Sequence, residues 1–114
     1  MPDRVIRRHD TAQQPRVKFL DEFGVALTGL STATIRYTLT NIATGVVKIN
    51  RATAVAADQG TYPGEAYYQL LSGDVDTSGT YQEEWEITYQ SGAKESFPVG
   101  LPQYVRIIDD QDNT

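Results

Sequence analysis

The chain has 114 residues, a formal net charge of −5 and no cysteine. That length suits one domain with one modest core. The missing thiols exclude disulfides and thiolate metal sites, no apolar run reaches the ~18 residues of a membrane helix, no apolar signal core opens the chain, and the acidic balance argues against nucleic acid as the main partner.

The charge is unevenly spread. Residues 1–18 hold five basic side chains, Arg4, Arg7, Arg8, Arg16 and Lys18, against Asp3 and Asp10, a net of +3; the remainder carries −8. Residues 1–15 therefore read as a basic arm, and residues 109–114, with Asp109, Asp110 and Asp112, as an acidic tail. Such an arm suits docking on an acidic protein surface or on another copy, with Arg4, Arg7 and Arg8 as the contacts; the plainer reading is two solvated tails. With few apolar residues the arm adds little to a core, so residues 16–108 are expected to fold without it.

Residues 16–20 alternate as a short strand, and Asp21-Glu22-Phe23-Gly24 reads as a turn. Residues 25–27 continue briefly. From 33 to 40, Ala33, Ile35, Tyr37 and Leu39 share one face while Thr34, Arg36, Thr38 and Thr40 share the other, the period-2 mark of a half-buried antiparallel strand. Residues 41–45 turn the chain into a return strand at 46–49. Residues 51–57 are alanine-rich and ambiguous. After a turn at 58–60, residues 61–68 read as a strand weakened by Pro63 and Gly64, hence an edge or bulged strand. A single helical turn is expected at 69–71. Residues 80–89 form the strongest strand, 94–99 its hairpin partner, and 104–108 the last strand. The expected fold is all-β: an immunoglobulin-like antiparallel sandwich of seven to eight strands.

The segment leading into the strongest strand spaces Asp74, Asp76, Ser78 and Gly79 like a calcium loop. An EF-hand would need a glutamate at its twelfth position, where Trp85 stands, and flanking helices that the pattern lacks. Asp76, Gly79 and Tyr81 instead fit a tyrosine corner, in which the phenol bonds back to upstream backbone, with Trp85 as an inward anchor and no metal required. The second cysteine of an immunoglobulin would stand two residues after the tyrosine, where this chain has Glu83. Alternation puts Glu83 on the apolar face. The expectation is a rim carboxylate paired with Arg36 or Arg51; the other reading is a contact or catalytic acid.

Catalytic signals are thin. The sole histidine, His9, lies in the basic segment, and no phosphate-binding loop or nucleophile elbow is present. No catalytic residue, metal site or cofactor is expected. Seven tyrosines are too many for the core; Tyr62, Tyr67, Tyr68, Tyr89 and Tyr104 cannot all be buried, and exposed tyrosine suits protein interfaces or sugar stacking.

The ordered motifs carry a resemblance: Asp21, Gly24, Leu27, Thr28 and Gly29; then Thr44-Gly45; Asp58-x-Gly60-x-Tyr62; the Asp74 to Tyr81 corner; and Gly92 followed by Phe97-Pro98, with Arg8-His9-Asp10-Thr11 as lead-in. Across residues 8–108 this pattern resembles the immunoglobulin-like N-terminal domain of phage baseplate upper proteins. The resemblance implies a non-enzymatic virion module, homo-oligomeric in the particle and bound to tail, baseplate or major capsid proteins. Those proteins continue into a helical linker and further domains where this sequence ends, so the expectation is a stand-alone adaptor or a capsid decoration. The alternative is a carbohydrate-binding adhesion domain for host attachment.

Overall fold

Two runs of large inward residues, Ile35-Tyr37-Leu39 and Tyr81-Glu83-Trp85-Ile87, anchor the architecture. In the computed structural model, which describes residues 4–7, 14–97 and 103–108, they lie on neighbouring strands, β3 (Thr34–Asn41) and β7 (Gly79–Thr88), paired antiparallel from Thr34↔Thr88 to Asn41↔Tyr81. Beyond β3 lies β4 (Val47–Thr53). The far side of β7 is shared: β9 (Gln103–Ile108) pairs with its first half and β8 (Lys94–Phe97) with its second, two pieces of one long edge. A second sheet orders β2 (Arg16–Lys18), β6 (Glu65–Tyr67) and β5 (Val55–Ala56).

This strand order is that of an immunoglobulin-like sandwich, with β2, β6 and β5 in the positions of strands B, E and D, and the larger sheet carrying C, F, G and an added edge. The two sheets meet through aromatics rather than a disulfide. Tyr68, just past β6, stacks on Tyr37 of β3 with ring centroids 4.8 Å apart, and Phe19, just past β2, meets Trp85 edge-on at 6.0 Å. A buried aromatic removes roughly 150–250 Å² from water, about 4–6 kcal/mol of gross stabilisation, so these four rings dominate the core.

The basic arm is corrected. Arg4–Arg7 form β1, a parallel edge strand beside β9 in register Arg4↔Val105 to Arg7↔Ile108, and Ile6 is fully buried in the core. Its sequence signal was only Val5 and Ile6 between Arg4 and Arg7, too short for periodicity to register. Arg8 and the acidic tail at 109–114 lie outside the described residues. With β1 the described residues hold nine strands rather than seven or eight.

Three further differences are local. The strand expected at 61–68 shrinks to β6, because Pro63 and Gly64 close a turn before it, and β6 is central in its sheet rather than at an edge. The ambiguous residues after 49 extend β4 through a bulge marked by a left-handed Arg51 (φ 51°) and then supply β5. The expected helical turn falls slightly later, as a 3₁₀ turn at Ser72–Val75, with a second at Leu30–Thr32.

Candidate functional site

The tyrosine corner is built as its spacing implies. The Tyr81 hydroxyl donates to the Thr77 carbonyl at 2.8 Å, and the ring is buried. Gly79 sits at φ +150°, where a side chain would strain the backbone, and a Cβ there would lie 3.1 Å from Asn41 Nδ2, so the amide would have to give way. Lys48 of β4 donates to Asp76 Oδ1 at 2.5 Å. The neighbouring Asp74 faces elsewhere: its Oδ2 accepts from the Leu71 amide at 2.8 Å and from the Tyr68 hydroxyl at 2.9 Å. The calcium-like spacing thus serves two separate structural jobs, and among the described residues no three acidic, histidine or cysteine side chains gather as a metal-binding group.

Glu83 corrects the expectation of a rim ion pair. It is 1 % exposed, accepts from the Tyr37 hydroxyl at 2.7 Å through Oε2, and accepts from Trp85 Nε1 at 3.1 Å through Oε1. The proposed arginine partners stand on the opposite face of the sheet, where Arg36 donates to Thr53 Oγ1 and Arg51 pairs with Glu86. A carboxylate sealed from solvent and committed through both oxygens ties β3 to β7 but does not reach a ligand in solvent.

Of the arm residues, Arg4 contributes its backbone to β1, Arg7 lies on the exposed side of that strand and is not a free cation, and Arg8 falls outside the described residues, as does His9. The expected contact through these three arginines thus falls partly outside the described residues.

Sequence reasoning missed a different exposed feature. At the turn after β2, Phe23 is 81 % exposed, flanked by the exposed Leu20 and Val25. The turn is rigidly made. Asp21 Oδ1 accepts from the amides of Phe23 (2.8 Å) and Val25 (2.9 Å), the Asp21 amide donates to the Val25 carbonyl at 2.8 Å, and Leu20 bridges Ala26. An aspartate whose side chain organises its own turn is a common device; an apolar tip held by it is not, since a loop tip normally carries polar residues. Asp21 and Glu22 make the surroundings acidic. The available signal was Phe23 inside a sequence otherwise read as a polar turn.

Burial shifts two phenols. Tyr68 is pushed up by burial first and by its contact with the Asp74 carboxylate second. Tyr89, which donates to Glu95 Oε1 at 2.6 Å, is pushed up to about 12 by burial and then by that hydrogen bond and charge.

No family model, no curated protein and no solved structure matches the chain.

Proposed function

We propose that this chain is a non-enzymatic structural protein of a tailed-phage virion, an immunoglobulin-like module that docks on the particle through protein–protein contacts as a tail or baseplate adaptor or as a capsid decoration. The reading starts from the order and spacing of its motifs. The observation that carries it is Phe23, a large apolar side chain displayed on a rigid, acidic tip. A fixed loop loses little entropy on docking, and one aromatic seated in a pocket supplies the kind of anchor that dominates small interfaces. Partners in this reading are other virion proteins, with several copies per particle, and no cofactor, nucleic acid or membrane takes part.

Quantitative mass spectrometry of purified particles from the virus that encodes the chain tests it. The expected result is the chain in fixed stoichiometry with the other structural proteins. Recovery only in the soluble fraction of infected cells would contradict it. A second reading, a carbohydrate-binding adhesion domain, is favoured by one distinct feature on the outer face of the small sheet.

A further inference from the structure

The outer face of the small sheet carries an aromatic–arginine platform. Register places Arg16 of β2 opposite Tyr67 of β6, and Tyr67 opposite Val55 of β5. The Arg16 guanidinium lies 4.8 Å from the centroid of the Tyr62 ring and 5.7 Å from that of Tyr67, while its Nε donates to Glu65 Oε1 at 2.7 Å. Tyr62 is 47 % exposed. Among the described residues neither the Tyr62 nor the Tyr67 hydroxyl is hydrogen-bonded to protein.

Tyr62 is not merely a loop residue that happens to face water. Its loop is fixed by side chains at almost every step. Asp58 Oδ1 accepts from the Gly60 amide at 3.0 Å, and the Asp58 carbonyl from the Tyr62 amide at 2.7 Å. Gln59 Nε2 donates to the Ala57 and Glu65 carbonyls while its Oε1 accepts from the Gly64 amide. Gly64, at φ +80°, is locked against the Phe19 carbonyl and Ala26, each of which a Cβ would approach to 2.9 Å. The loop is thus tied to the core and holds Tyr62 in place beside Arg16.

We propose that Arg16, Tyr62, Glu65 and Tyr67 form a binding site for a neutral saccharide. A pyranose has an apolar C–H face and a hydroxyl rim. Tyrosine rings offer the matching apolar surface at low entropic cost, and fixed polar groups beside them orient the hydroxyls. Glu65 balances the charge of Arg16 within the platform, so the site does not select for an anionic ligand such as a phosphate or an acidic sugar. The preformed loop lowers the ordering cost that limits weak sugar binding. This assignment is independent of particle docking: it does not involve Phe23 and is tested on the isolated protein.

The test is a titration of the isotope-labelled protein, followed by amide chemical shifts, with a panel of neutral oligosaccharides built from glucose, galactose and N-acetylglucosamine, and with sialylated and uronic-acid oligosaccharides for comparison. At least one neutral sugar is expected to shift the amides of residues 16–18 and 58–67. Tyr62→Ala and Arg16→Ala, each checked for native folding by circular dichroism, are expected to weaken that binding by at least about tenfold, while Phe23→Ala leaves it unchanged. Silence across the neutral panel, binding confined to acidic sugars, shifts mapping elsewhere, or undiminished affinity in folded Tyr62→Ala would each overturn the assignment.

Discussion

The Tyr37 hydroxyl donates a 2.7 Å hydrogen bond to Glu83, a carboxylate with 1 % of its surface exposed in the centre of the larger sheet. Trp85 Nε1 supplies a second donor at 3.1 Å. Removing the acceptor strands both donors in the core. Glu83→Ala is expected to cost roughly 2–6 kcal/mol, since each buried donor left unpaired costs about 1–3 kcal/mol. Glu83→Gln keeps one carbonyl oxygen and should cost less. Urea unfolding monitored by Trp85 fluorescence measures both; two variants with wild-type stability would show that the node contributes nothing.

The corner and its anchor differ in size of effect. Trp85→Ala empties the space between Phe19 and Tyr37, a truncation that costs roughly 3–5 kcal/mol in a packed core. Tyr81→Phe removes only the bond to the Thr77 carbonyl, worth about 0.5–1.5 kcal/mol. Reversal of that order in equilibrium unfolding would mean that the corner, not the aromatic core, holds the sandwich.

Strand β1 is expected to be part of the folding unit. Ile6→Ala should destabilise by about 2–5 kcal/mol, as for a buried aliphatic side chain, and deletion of residues 1–7 should do at least as much. A truncated chain with an unchanged unfolding midpoint would restore the dispensable arm.

How much of this was legible follows residue by residue. The β3 and β7 strands could be read because large residues recur at period 2 over eight or more positions, and the Asp76-Gly79-Tyr81 spacing names a local geometry that needs no tertiary knowledge. β1 could not, because a strand of four residues is too short to show a period. The partners of Glu83 were hidden because Tyr37 is its diagonal cross-strand neighbour, a relation fixed only by the β3–β7 register. The Tyr62–Arg16 contact likewise required the β2–β6 register and the folded Asp58–Gly64 loop.

The raised phenols set an alkaline limit. The folded protein holds the Tyr68 and Tyr89 protons more tightly than the unfolded chain, where tyrosine titrates near 10.0. Their contribution is therefore complete below pH 10 and is lost above it, for Tyr89 as pH rises from about 10 through 12 and for Tyr68 at higher pH still. Tm should fall across that window, and the fall should be shallower in the Tyr68→Phe, Tyr89→Phe double variant. Parallel curves for variant and wild type would exclude these two groups as the cause.

Phe23→Asp should leave stability within about 0.5 kcal/mol of wild type, because the side chain is exposed and the Asp21 turn does not depend on it. Particles assembled with this variant are expected to lose the protein while retaining their other components, as read by mass spectrometry of the purified particles.

The most direct measurement is an electron cryomicroscopy map of the intact particle, refined to a resolution that traces strands. The expected density is this two-sheet sandwich repeated by the particle's symmetry, with the Leu20–Val25 tip buried in an apolar pocket of a neighbouring subunit. A particle without this density, or one in which Phe23 faces open solvent, would contradict the docking account.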